Sequence, residues 1–295
     1  MIDLPPMRTL DIDGPLAYQV WDGPADTTFV LVHGLGGMHL NWIQVADGLS
    51  GLGRVVAPDL PGFGDSPLAG RSAHVMALRR TLAAFIDATT TGRVVVAGNS
   101  MGGAIAALQA AIAPDSVQGL ILTNPALPKI GHAWQHPSLA ALMGLYEVPM
   151  IGDLAVKARA RALDPEQIVR LGFRLITADP AAIPADVVRL HVEAVGRHAG
   201  DPNGVRAFSE ATRSLLAMAR QPERARAVLD AITCPVLLIH GRRDPLIPAR
   251  FAEAELRRHP TWRGRILPGV GHVAQMEAPG RWLTEVADWF AGSVD

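Results

Sequence analysis

The 295-residue chain has a single cysteine, Cys234. One thiol cannot form an internal disulfide framework or a multi-cysteine metal site. It precedes the apolar run Pro235 to Ile239, where a buried, inert thiol is expected. Lysine is almost missing too: Lys129 and Lys157 stand against 25 arginines. With abundant alanine, that skew reads as a nucleotide-composition bias and carries no functional signal. Neither sign of charge is in excess, with 27 basic residues against 28 acidic ones. No global field therefore draws the chain to nucleic acid or an anionic membrane, and a small or neutral partner is expected. No apolar run approaches the ~20 residues of a membrane span. The N-terminal MIDLPPMRTL lacks a basic n-region and an apolar h-region, so no secretory signal is expected and a soluble, cytoplasmic protein is.

What is present is enough apolar residue to bury a core, at 49% hydrophobic and 19% charged. Disorder and low complexity are excluded. The length exceeds the usual ~100 to 200 residues per domain, so one large domain and a core plus an insertion are both open.

Short runs of Val, Ile and Leu alternate with amphipathic stretches, the pattern of a mostly parallel sheet covered by helices. Strands are expected at Thr28 to His33, Arg54 to Pro58, Arg93 to Gly98, Val117 to Thr123, Pro235 to His240 and Gly264 to Leu267. Helices are expected at Ala73 to Thr89, Met101 to Ala113, Ala249 to Arg258 and Gly280 to Phe290. Arg8 to Asp11 and Leu16 to Trp21 flank Asp13-Gly14, a turn signal for an antiparallel pair. The total is about eight strands. Between Asn124 and Ile232 the strand-like runs stop and helices broken by prolines take over. A structureless loop of that length is improbable. The chain is therefore divided into a core of residues 1–124 and 232–295 and a helical cap, or lid, of residues 125–231.

The most informative stretch is Gly98-Asn99-Ser100-Met101-Gly102, between an apolar strand and an Ala-rich helix. G-x-S-x-G in that context predicts a nucleophile elbow. Small residues at 98 and 102 leave room for a sharp, strained turn. Ser100 is then presented above the sheet edge, over a helix N-terminus that favours developing negative charge.

A serine nucleophile needs a base and the base needs an orienting acid, in the chain order Ser, acid, His on this architecture. Asp244 follows the strand Pro235 to His240, and His272 follows the last strand in the loop Leu267-Pro-Gly-Val-Gly-His. Both fall at strand carboxyl ends, on the same sheet edge as Ser100. Asp201 and Asp230 compete poorly because they lie in or beside the cap. Asn124 ends the strand Val117 to Thr123, another place for the acid, and cannot serve as a carboxylate.

An oxyanion hole must come from backbone amides near Ser100. The loop His33-Gly34-Leu35-Gly36-Gly37 ends a strand, and the N–H groups of Leu35 and Met101 are assigned as donors, with both side chains expected to wall the substrate pocket. Gly34, Gly36 and Val273 are expected to border the substrate. A phosphate loop is the rival for this glycine cluster, but G-K-[ST] is missing and no good helix start follows.

HG at His33-Gly34, DLPGFGDS at Asp59 to Ser66, GNSMGG at Gly98 to Gly103, HGRRDPLIP at His240 to Pro248 and GVGH at Gly269 to His272 together resemble the α/β-hydrolase superfamily, in its capped branch. The resemblance covers nearly the whole chain and implies a mostly parallel eight-stranded sheet flanked by helices, with an inserted helical lid. It implies that Asp59 to Ser66 is a structural loop. Epoxide hydrolases and haloalkane dehalogenases carry Asp at the elbow, where this chain has Ser100. The GNSMGG elbow is similar to that of the meta-cleavage-product hydrolases, which split a carbon–carbon bond. That branch has Trp after the histidine and a Gly-Pro-Gly oxyanion loop, whereas Val273 and HGLGGMHLNW stand here. A carboxylesterase acting on a small-molecule ester and water is therefore the leading reading. The C–C hydrolase is the alternative, and a small-molecule receptor on the same fold is the reading from another class. No metal and no cofactor is implied.

In the cap, Trp134, Leu139, Leu142, Met143, Leu145, Met150 and Ile151 are candidates to line an apolar pocket. His132, His136, His191 and His198 show no ligand constellation and are read as polar surface or cap positions. Arg174 is read as a solvated helix arginine, with pairing to a substrate carboxylate as the version a C–C hydrolase would want.

Overall fold

The structure is a computed structural model that describes residues 2–126, 151–198 and 201–292. Eight strands form one sheet: β1 (Arg8–Asp11), β2 (Pro15–Trp21), β3 (Thr27–Val32), β4 (Arg54–Pro58), β5 (Arg93–Asn99), β6 (Gly119–Thr123), β7 (Val236–Gly241) and β8 (Arg263–Leu267). Their order across the sheet is β1-β2-β4-β3-β5-β6-β7-β8. The β1–β2 and β2–β4 pairs are antiparallel and all others parallel. At the hairpin, Asp13 and Gly14 take φ of 51° and 121°, and the Gly14 N–H caps onto Asp11 Oδ1 at 2.8 Å.

The central strands are buried at nearly every position because both faces are covered. Alternation then sorts the side chains. Val30, Val32, Val94, Val96, Leu120 and Leu122 enter one core, with Leu78, Leu82 and Phe85 of α2 (Val75–Thr89) and Ile105 of α3 (Met101–Ile112). Phe29, Leu31, Val95, Ala97, Ile121 and Leu237 enter the other. They meet Val45 and Leu49 of α1 (Ile43–Ser50) there, and Trp282 and Val286 from the C-terminal part of the chain. Helix α3 is buried along nearly its whole length, which its run of Gly and Ala makes sterically feasible.

Between β6 and β7 the described residues form five helices: α4 (Ile151–Ala162), α5 (Pro165–Ile176), α6 (Ala185–Arg197), α7 (Pro202–Ala219) and α8 (Pro222–Asp230). Several of the described prolines that interrupt the sequence here open helices. Pro165, Pro202 and Pro222 all lie in first turns, where a missing N–H costs nothing. Asp164 caps α5 reciprocally with Gln167, and Asp201 caps α7. The chain ends in α9 (Ala249–Arg258), the short α10 (Ala274–Glu277) and α11 (Pro279–Ala291). No helix of the described residues is long and apolar enough to cross a membrane. Cys234 is partly buried, and desolvation pushes its thiol up to about 11, as an inert thiol requires.

The chain reverses direction of growth at β3, adding β4 on one side and β5 on the other. Such a switch point opens a crevice at the carboxyl ends of the strands.

Candidate active site

Ser100 occupies the single residue between β5 and α3, at φ 56° and ψ −116°. A non-glycine residue there is strained, and the surroundings hold it in place. Its N–H donates to the Thr123 carbonyl at 3.1 Å, and its carbonyl accepts from Ala126 N–H at 2.9 Å. The two flanking glycines are required by contact. A Cβ at Gly98 would strike the Gly102 carbonyl, and one at Gly102 would strike the carbonyl oxygens of Val32 and His33. Gly34 passes close enough that an added Cβ would lie 3.1 Å from the Ser100 Cβ. The Asn99 amide crosses from the elbow to donate to Thr123 O and His272 O, both at 3.1 Å.

Asp244 and His272 arrive on the loops after β7 and β8. The loops are clamped by Arg242 N–H to Leu267 O and Arg243 N–H to Val270 O, each 2.9 Å. His272 Nδ1 donates to Asp244 Oδ2 at 2.7 Å. Asp244 Oδ1 accepts from the N–H groups of Leu246 and Ile247 at 2.8 and 2.9 Å. Burial pushes this carboxyl up, but the charge His272 can take, its hydrogen bond, His240 and the Ile247 amide outweigh that. The net effect holds it below the usual carboxylate range. With Nδ1 bonded to a carboxylate, His272 Nε2 carries the lone pair of the neutral ring. That nitrogen is buried and has no partner among the described residues.

A cavity of about 280 Å³ lies over this edge. It brings together Ser100, His272, Gly34, Leu35, Gly36 and Val273. Asp244 stands behind His272. Met101 differs from expectation: its side chain is wholly buried in the core with Val32 and Ile105 and does not wall the cavity. As the first residue of α3 its N–H still has no intrahelical acceptor. Trp134, Leu139, Leu142, Met143, Leu145 and Met150 lie outside the described residues, as do His132, His136 and the side chain of Ile151. Among the described residues, the far wall comes from α5, α6 and α7, through Phe173, Ile176, His191, Phe208, Thr212 and Leu215. No Lys, Arg, Asp or Glu is among the described lining residues. Arg174 is exposed and absent from that wall. A second cavity of about 360 Å³ runs along α3 beside α7 and α8, but neither Ser100 nor His272 reaches it.

Four contributors escaped the sequence reading. Asn124 cannot be the acid, yet its amide donates to Asp244 Oδ2 at 2.8 Å and to Gly271 O at 3.0 Å. It sits at φ 44°, a conformation asparagine tolerates. Asn99 ties the elbow to the histidine loop, as above. Glu277 accepts from Ala178 N–H at 2.8 Å and Gly271 N–H at 3.0 Å, joining the end of α5 to the histidine loop. Beside it His272 N–H donates to Ile176 O at 2.8 Å. Burial pushes Glu277 up, its backbone hydrogen bonds notwithstanding.

The fourth is His191, read from sequence as a polar surface or cap position. It is 5% exposed and lines the cavity. His198 does lie at the surface, paired with Asp65 at 2.7 Å.

The Asp59 to Ser66 segment is a hydrogen-bonded loop. Asp59 accepts from the His39 N–H, the His39 ring and the Asp65 N–H. His33 donates from Nδ1 to Gly34 O at 2.7 Å and accepts the Leu60 N–H on Nε2 at 2.9 Å. These bonds fasten the glycine loop to its neighbour. His39, Asp59 and Asp65 have ligating atoms within 4.8 Å of one another, but Asp65 is also engaged by Arg197 and His198, so internal bonding accounts for the group.

Comparison with known proteins agrees with the architecture. Residues 27–279 match the family described as alpha/beta hydrolase fold. A dihydrolipoyllysine-residue acetyltransferase component of an acetoin cleaving system from Pseudomonas putida is 32% identical over 260 residues, covering 87% of this chain. This chain spans only 61% of that protein's length. A monoacylglycerol lipase from Mycolicibacterium smegmatis is 28% identical over 289 residues, 93% of this chain and 92% of the lipase. Among solved structures, a thermophilic esterase from Thermogutta terrifontis superposes with a TM-score of 0.69 at 24% identity, over 97% of each chain. A sheet built on a central switch point, a strained serine between strand and helix, and a family match over most of the length lead to one assignment: the chain belongs to the α/β hydrolase fold family.

Proposed function

We propose that this protein is a serine hydrolase of uncharged carboxylic esters, working through an acyl-enzyme on Ser100. The observation that carries the reading is the buried His272, tied through Nδ1 to Asp244 and bare at Nε2, in one cavity with the strained Ser100. In this reading His272 Nε2 takes the Ser100 proton as Oγ attacks the ester carbonyl. Asp244 holds the ring in the right tautomer and stabilises its charged form. The N–H groups of Leu35 and Met101 bind the tetrahedral oxyanion, each typically worth a hundred- to a thousandfold in kcat. His272 then returns the proton to the leaving alcohol, and water repeats the cycle on the acyl-enzyme. No step calls on a metal or organic cofactor. Residues 125–231 act as the lid, whose helices α5, α6 and α7 give the cavity its described far wall.

The described lining of the cavity is mostly apolar, which suits an ester with an apolar acyl or alcohol part. The described lining carries no charged side chain, which favours an ester over a dienoate, whose carboxylate would lie unpaired beside it. The test is a panel of nitrophenyl esters of rising acyl length beside a dienoate meta-cleavage product, with wild type and Ser100→Ala. Esters of small to medium acyl length are expected to be turned over and Ser100→Ala to abolish turnover. Full activity in Ser100→Ala, or a dienoate cleaved orders of magnitude faster than any ester, rejects the reading.

A further inference from the structure

Among the described residues, the lid-side wall holds polar atoms that nothing in the proposed chemistry uses. His191 sits on α6 with its ring edge-on to Phe173, centroids 5.3 Å apart. Its Nδ1 lies 2.9 Å from the Val187 carbonyl one turn earlier, and a carbonyl only accepts, so Nδ1 carries the hydrogen. Burial holds the ring neutral, its proton affinity lowered to about 4. The far nitrogen, Nε2, is therefore a bare acceptor. It is buried and has no partner among the described residues, and the side chain lines the cavity. Thr212 of α7, on the same wall, offers the same polarity: its hydroxyl donates to Phe208 O at 2.7 Å, leaving lone pairs for anything else. Phe173, Phe208 and Leu215 around them are apolar. The wall thus offers acceptors among hydrocarbon, and a buried acceptor is costly unless a donor meets it.

We infer that His191 is a specificity residue, accepting a hydrogen bond at Nε2 from a free hydroxyl on the ester held beneath α6. The natural substrate is then an ester that keeps at least one hydroxyl, either on its acyl chain or on its alcohol. This rests on the ester-hydrolase reading for its substrate class, and it adds what that reading lacks, a polar group for the far wall to read. Sites built to bond a hydroxyl discriminate against analogues without one far more sharply than apolar pockets discriminate by size.

Calorimetric binding to the full chain carrying Ser100→Ala tests this without turnover. Two matched pairs separate the sources of the hydroxyl: ethyl ω-hydroxyhexanoate against ethyl hexanoate, and glycerol monobutyrate against propyl butyrate. In each pair the measured quantity is the ratio of affinities, hydroxylated over plain. Adding His191→Phe, or independently His191→Leu, is expected to lower that ratio about tenfold for the pair whose hydroxyl meets Nε2. The pair that responds says whether the hydroxyl belongs to the acyl or the alcohol. Ratios unchanged within twofold for both pairs overturn the inference, as does the absence of measurable binding of either hydroxylated ester before His191 is changed. Failure of the ester reading itself would show separately, as activity retained in Ser100→Ala.

Discussion

The two halves of the cavity are built on opposite principles. The sheet-edge half, with Ser100, Asp244 and His272, is fixed by backbone: glycines that admit no Cβ, amides that fill Asp244 Oδ1, and Asn99 and Asn124 bonding across three loops. The helical half, with Phe173, His191, Phe208 and Thr212, is fixed by side-chain packing. It meets the sheet-edge half at the end of α5, where Ile176 O and Ala178 N–H bond to His272 and Glu277. Backbone-determined geometry suits a reaction centre, which tolerates little misplacement. A packed wall can change its side chains without disturbing that centre, which suits substrate selection.

The comparison breaks most visibly at Asp244. Its Oδ1 accepts two backbone N–H groups, so in Asp244→Asn the amide oxygen stays there and the NH₂ faces His272. Two donors then oppose each other, and the imidazole must move its hydrogen to Nε2 and lose its basic lone pair. Steady-state kinetics should show kcat down roughly ten-thousandfold with KM little changed. A loss of less than tenfold would mean that the orienting acid lies elsewhere.

The helical half should answer in stability instead. Below pH 6.5 the unfolded imidazole of His191 takes a proton that the buried ring refuses until about 4. The unfolded state binds more protons in that window, so the stabilisation present above pH 6.5 is lost as pH falls toward 4. The loss is about 3 kcal/mol. Denaturant titrations of His191→Phe should show a correspondingly flatter acid limb than wild type. An identical pH slope would place the His191 ring in water.

These halves also differ in how far the sequence disclosed them. Strands β3 to β8 were legible to within about two residues because Val, Ile and Leu runs with sharp turn signals leave little choice. The stretch Ile43–Ser50 was missed, since eight residues with Gly48 among them show too little period beside a glycine-rich loop. Ser100, Asp244 and His272 could be placed at one sheet edge from sequence because each follows a strand end and the glycines mark the turns. Asn124 was weighed only as an absent acid; its left-handed backbone and its reach to Asp244 depend on three-dimensional neighbours. His191 left a clue that was passed over. Val187, His191 and Ala194 recur at helical spacing, and all three are buried. A histidine on an apolar stripe is a buried one, but which cavity it faces is set by how α6 docks.

The central claim is that Ser100 is a nucleophile made reactive by His272. The direct measurement is intact-protein mass after exposure to a fluorophosphonate, with peptide mapping of the adduct. The account predicts one adduct on Ser100 in wild type and almost none over the same time in His272→Ala. An unlabelled wild-type Ser100, or labelling that proceeds as fast without His272, would contradict it.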